Sequence, residues 1–256
     1  STTVPLEGGA AVAVAERTTP PGEATVDASW ASLGPQVLDS PPDATSADDD
    51  QATTEYRHGI ALLADTNSER TEALRDALAC FRRAQDVWTR ERAPELWAAI
   101  QNDIGRAYQE LPSGDRAGHL RTAIMYHQTA LEVYDPVQHA INWAWTQSAL
   151  GAAYQSLPTG SAISNARAAV AYHQRALDVF TEENAPLAWA WNQNNLGAAY
   201  EIMRSGEEGD RVAALREASR CYSAALRVYT AAEYPLQHHI VMRNLARVQA
   251  ELQALE

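Results

Sequence analysis

The sequence contains no lysine, for all 20 of its basic residues are arginine. That absence excludes Schiff-base chemistry, a lysine general base and a Walker-type phosphate loop, since each depends on a lysine amine. Cysteine is nearly as scarce. Cys80 and Cys221 are too few for a disulfide framework and too far apart along the chain for a metal knuckle, which fits a reducing compartment. No apolar run approaches the roughly 18 residues that a membrane-spanning helix needs. Ser1 to Arg17 lacks the basic end and long apolar stretch of a signal peptide, so the expected location is the cytoplasm. Positive charge is in deficit too. Against 33 acidic residues the arginines leave a formal net charge of −13, which repels a phosphate backbone or an anionic membrane, so neither is an expected partner.

What is present divides into two unlike parts. Residues 1–50 hold six of the twelve prolines, four glycines and nine acidic residues against the single Arg17, and close on Asp48-Asp49-Asp50. This is the composition of an irregular or extended acidic tail. One short segment, Ala10 to Ala15, alternates Ala and Val and is compatible with an edge strand or an extended stretch lying in a groove. The fold is expected in residues 51–256, which carry most of the hydrophobic residues of the chain, 46% overall.

The dominant feature of the second part is self-similarity. Ile104-Gly105-Arg106-Ala107-Tyr108 recurs as Leu150-Gly151-Ala152-Ala153-Tyr154 and as Leu196-Gly197-Ala198-Ala199-Tyr200, a period of 46 residues. A weaker copy aligns Gly59 with Gly105, and a terminal one contains Asn244-Leu245-Ala246. Each unit holds a second run, Ala123 to Leu131 repeated by Ala169 to Leu177, with apolar positions at helical spacing. Turn signals such as Leu111-Pro112-Ser113-Gly114-Asp115 separate the two runs, and Pro94, Pro186 and Pro235 open the first helix of a unit. Each unit therefore reads as a helical hairpin, about five in all with the last one partial. The glycines let paired helices approach closely, and Tyr108, Tyr154 and Tyr200 are expected to fill the space between hairpins. One hairpin cannot bury its own apolar face, so the units must stack.

Small and aromatic residues at these offsets resemble the tetratricopeptide repeat, in which a Leu-Gly-x-x-Tyr helix packs on an Ala-x-x-x-aromatic-x-x-Ala helix. The period of 46 exceeds the usual 34. The wording Trp-Ala-x-x-Gln-Asn-x-Leu-Gly-x-Ala-Tyr is similar to the long-repeat variant of kinesin light chains and of bacterial arrays that accompany a caspase-like domain, although no protease domain is present here. The resemblance implies an all-α, right-handed superhelical solenoid whose first helices line a concave face that binds other proteins.

Helical geometry then selects candidate binding residues. Trp97, Trp143 and Trp189 lie seven residues before the Ile or Leu of the glycine motif, two turns along the same buried stripe. Trp145 and Trp191 lie roughly 200° around the helix from them and are expected to face the groove. On that same face come Asn102, Arg106 and Gln109, then Ser148, Ala152 and Gln155, then Asn194, Ala198 and Glu201. Asn pairs with both backbone groups of an extended ligand and Trp offers a rigid anchor. The resemblance implies a backbone-clamping role for Asn102 and Asn194, a position where the central unit has Ser148 instead. Arg243 and Arg247 on the last helix stand where they can meet a carboxylate.

No constellation of catalytic residues accompanies these. His127 and His173 share an offset with Phe81 and Tyr222, which marks a packing position. Adjacent His238 and His239 diverge by about 100° on a helix and cannot easily share an ion. Cys80 and Cys221 share an offset with Tyr126 and Tyr172, as buried packing groups do. No metal, cofactor or catalytic group is expected. The sequence reads as a non-enzymatic scaffold or accessory subunit that grips an extended segment of a partner protein. Its tail serves as a second contact or as a competitor in its own groove. The alternative is a regulatory domain that senses a small molecule or peptide.

Overall fold

A computed structural model describes residues 47–65, 69–112, 114–204 and 208–255. Among them the chain forms nine α-helices and no strand: α1 Ala47–Ala64, α2 Arg70–Val87, α3 Pro94–Glu110, α4 Arg116–Ala130, α5 Ala140–Ser156, α6 Ala162–Leu177, α7 Pro186–Met203, α8 Glu208–Ala225 and α9 Pro235–Gln253. Residues 1–46, with the Ala10–Ala15 segment, lie outside the described residues. The first helix starts ahead of the expected boundary at residue 51. Asp48, Asp49 and Asp50 fall in its first turn, where they complement the positive end of the helix dipole instead of closing a tail.

Local signals fix the helix ends. Pro94, Pro186 and Pro235 occupy the first turns of α3, α7 and α9, where a missing N–H costs nothing. Asp115 caps α4 by accepting from the Gly118 N–H at 2.8 Å, and Ser161 caps α6 by accepting from Ser164. The turns before these caps need a left-handed residue, supplied by Gly114 at φ 91° and Gly160 at φ 84°. At the far end of the first helix, Arg70 donates to the carbonyls of Leu62 and Leu63, and Arg116, one period later, to that of Gln109. These carbonyls lie in the last turns of α1 and α3, where the helix itself supplies few partners.

The helices pack in pairs, α1 with α2, α3 with α4, α5 with α6 and α7 with α8, and α9 packs on α8. Each pair closes on a glycine. A β-carbon at Gly59 would lie 2.6 Å from the Phe81 ring, and at Gly105, Gly151 and Gly197 it would meet His127, His173 and Tyr222 at 2.6, 2.6 and 2.9 Å. The ring of the second helix thus sits on the bare backbone of the first. An aromatic that follows each second helix anchors the link to the next hairpin: Trp88, Tyr134, Phe180 and Tyr229 are all buried. First helices also touch one another, α1 with α3, α3 with α5, α5 with α7 and α7 with α9, whereas second helices make no comparable contact. The stack bends with its first helices on the inside, as a helical solenoid does. No helix among the described residues is long and apolar enough to cross a membrane.

Candidate functional site on the inner face

The first helices are joined by polar bonds that recur along the solenoid. Tyr56 on α1 donates its hydroxyl to Asp103 on α3 at 2.7 Å, and Gln109 on α3 donates to the Ala149 carbonyl on α5 at 3.0 Å. Gln155 on α5 donates to the Asn195 carbonyl on α7 at 3.1 Å, and Arg247 on α9 binds both carboxylate oxygens of Glu201 on α7 at 2.9 Å. Arg247 apart, which is 39% exposed, these side chains are largely withdrawn from water, so their bonds act in a low-dielectric setting where leaving either partner unpaired is costly. Burial raises the Asp103 carboxyl above its ordinary value, against the pull of the Arg106 guanidinium and of the bond from Tyr56. Arg106 itself donates to Asp103 at 2.9 Å.

The polarity of each ring seated on a glycine is matched by the residue four positions after that glycine. Apolar Phe81 goes with Leu63. Ring nitrogen Nε2 of His127 lies 2.9 Å from Gln109 Oε1, and the Tyr222 hydroxyl donates to Glu201 at 2.6 Å. In the central unit Gln155 donates to α7 in the same way but its Oε1 meets no ring nitrogen, and His173 pairs with Asn192, 2.9 Å from its Nδ1. The substitution of Ser148 for an asparagine permits this, since its hydroxyl donates to the same Asn192 oxygen at 3.0 Å. Burial pulls the His127 imidazole down to about 3, with the Arg106 charge adding to the effect. It pulls His173 down to about 4, the Asn192 bond acting in the other direction. Both rings are neutral at physiological pH. A neutral ring has one proton, so of the two oxygens that face His127, Asn102 Oδ1 at 2.7 Å from Nδ1 and Gln109 Oε1 at 2.9 Å from Nε2, only one accepts from the ring at a time. Neither histidine is placed to act as a base on a ligand.

This arrangement corrects the expected exposure of the binding residues. Trp191 is 0% exposed, its ring edge-on to His173, and Trp145 is 8% exposed against Phe180, with ring centroids 4.9 Å apart. Asn102, Arg106, Gln109, Ser148, Asn194 and Glu201 are buried and Gln155 is half-buried. Only Arg243 and Arg247 stand exposed, and Arg247 is engaged by Glu201. The tryptophans expected on the core stripe divide: Trp189 is buried beneath the Arg227 guanidinium, but Trp97 and Trp143 are only partly buried. The physical reason is that a 200° rotation carries a side chain away from one neighbour, while an interior first helix has several. For α5 these are α6 at Gly151, α4 at Leu150 and Ala153, Phe180 at Trp145, and α7 at Ser148 and Gln155. Tyr108 and Tyr154 do lie at hairpin edges, but each stacks on a tyrosine of its own second helix, Tyr126 and Tyr172.

One part of the expected column keeps unsatisfied capacity. Asn194 Oδ1, both amide atoms of Asn195, Gln155 Oε1 and Asn244 Nδ2 are sealed from water with no hydrogen-bond partner among the described residues. They sit on α5, α7 and α9, beside the bonds that join those helices. A buried amide group left in this way costs about 1–3 kcal/mol. Elsewhere, a cleft of about 470 Å³ opens between α6, α7 and α8, lined by Arg167, Tyr200, Met203, Arg216 and Glu217 among others. The chain matches no protein-family model, no curated protein and no solved structure.

Proposed function

We propose that the protein is a non-catalytic scaffold of tetratricopeptide type, an accessory subunit that holds an extended segment of a partner protein on the inner face of its first helices. The observation that carries this reading is the group of buried, unpartnered amides of Gln155, Asn194, Asn195 and Asn244. An extended peptide has the one donor and one acceptor per residue that these amides lack, and it reaches them as the first helices part, since the atoms are sealed in the closed stack. Residues 1–46, with six acidic residues against Arg17, are a second contact or a competitor for the same face. Absence of lysine and the neutral, buried state of His127 and His173 agree with a role that requires no catalysis.

The test is a displayed library of short unstructured peptides selected against the full chain, followed by affinities for the wild type, Asn194→Leu and Asn195→Leu. Loss of one hydrogen bond at Asn194 or two at Asn195 weakens the selected peptides by roughly threefold and tenfold or more respectively, with the helical content of both variants unchanged. Peptides that bind the variants as tightly as the wild type refute the inner-face assignment. A second reading, a domain that senses a small molecule, is favoured by the cleft at Tyr200, whose volume lies in the range of ligand pockets. A Tyr200→Ala variant that abolishes a metabolite-induced rise in melting temperature while retaining the selected peptides identifies that function.

A further inference from the structure

The first hairpin differs from every later one at two positions and from the two middle ones at a third, and the three face one another. Where the later units have Gln101, Gln147 and Gln193, this one has Glu55; where they have Ile104, Leu150 and Leu196, it has His58. The third position is Cys80, matched by Tyr126 and Tyr172 and, in the last full hairpin, by Cys221. Glu55 and His58 stand one turn apart on α1, and Cys80 faces them from α2. Their ligand atoms all lie within 4.8 Å of one another, and Cys80 Sγ is 3.6 Å from His58 Nδ1. A tetrahedral zinc ion, with bonds of about 2.3 Å to sulfur and about 2.05 Å to nitrogen, holds those two atoms about 3.6 Å apart.

From this geometry we infer that Glu55, His58 and Cys80 form a zinc site that staples α1 to α2, with a water in the fourth position. Zinc bonds to Cys80 Sγ, His58 Nδ1 and one carboxylate oxygen of Glu55, and the thiol proton leaves to solvent. A mixed sulfur, nitrogen and oxygen set suits zinc better than calcium or magnesium, which demand oxygen donors. Access is open on one side, since His58 is exposed although Cys80 is buried. Cys221 is no second site, because Gln193 and Leu196 stand where its carboxylate and imidazole would have to be.

The present occupant of the cluster is a different cation. Arg83 donates to Glu55 at 2.8 Å and to Cys80 Sγ at 3.2 Å, and so balances the Glu55 carboxylate. Its side chain is 51% exposed, so it can swing into water on its flexible stem as the metal enters. Arg83 is therefore a competitor that weakens zinc binding, and this gives the inference a signature that adventitious surface binding lacks.

The experiment is titration of the metal-free, reduced full chain with Co²⁺, a spectroscopic stand-in for zinc. The expected result is one Co²⁺ per chain, with thiolate-to-cobalt charge-transfer absorption and tetrahedral d–d bands that Zn²⁺ abolishes. Cys80→Ser and His58→Ala lose the bands, Cys221→Ser retains them, and Arg83→Gln binds at least tenfold more tightly. His58 is exposed, so its variant reports on the site without disturbing the core. Absence of the charge-transfer band in the folded wild type overturns the inference. Bands that depend on Cys221 and not on Cys80 overturn it equally.

Discussion

His173 offers a test of the packing logic that separates one residue from the rest of the acid response. Its ring is buried on Gly151, and burial holds its pKa at about 4, while an unfolded histidine titrates near 6.5. Between those two values the unfolded chain binds a proton that the folded chain refuses, so stability contributed by the neutral ring is fully present above pH 6.5 and is lost as pH falls towards 4. Integration from pH 7 to pH 4.5 gives a loss of about 2.5 kcal/mol for this one site. The suitable substitution is His173→Phe, because Phe81 already occupies the equivalent place against Gly59. At pH 7 the variant gives up the bond to Asn192, about 1 kcal/mol. Urea denaturation of wild type and variant at pH 7 and pH 4.5 measures four free energies. The wild type should lose about 2.5 kcal/mol more than the variant over that interval, whatever His127, Asp103 and the surface carboxylates contribute to both. Parallel losses in the two proteins refute the buried, neutral assignment.

Two further predictions follow from the same helices. Gly151→Ala normally adds helix propensity worth about 1 kcal/mol, but here the new carbon meets His173 ring atoms at 2.6 to 2.8 Å, so thermal denaturation should show a loss of about 1–3 kcal/mol instead. Arg247→Ala strips the principal cation from Glu201, whose side chain is 3% exposed, and leaves it Arg204 at 3.4 Å and the Tyr222 hydroxyl. Because Arg247 is itself 39% exposed, the expected cost is reduced to about 1–3 kcal/mol, and Glu201→Gln in the Arg247→Ala background should recover part of it in the same denaturation assay.

The repeat made most of the fold legible before any coordinates. Gly59, faint in the alignment, packs as Gly105 and Gly151 do, and the prolines at 94, 186 and 235 open helices where expected. The histidines at 127 and 173 are packing groups because Phe81 and Tyr222 share their offset, and the structure buries all four rings. Two periodic signals were equally available and carried information that motif reading passed over. Trp88, Tyr134, Phe180 and Tyr229 repeat the link between hairpins, and the residue four after each glycine changes polarity together with the ring that faces that glycine.

The candidate site was less legible, and the limit is geometric. Sequence spacing gives the angle of a side chain around its own helix, and Ser148 and Gln155, placed on one face by it, both meet α7. It does not give the number of helices that surround that face. By itself the sequence determined the period, the hairpins, the absence of lysine chemistry and the identity of the packing rings, because these depend on residues near one another in the chain or at a constant offset. Only the tertiary structure decided that Trp191 is enclosed, that Gln109, Gln155 and Glu201 are spent on neighbouring helices, and that Glu55, His58 and Cys80 converge. Those outcomes depend on how closely first helices approach one another across the bend of the stack, a distance set by the sum of all the hairpin contacts and written in no single repeat.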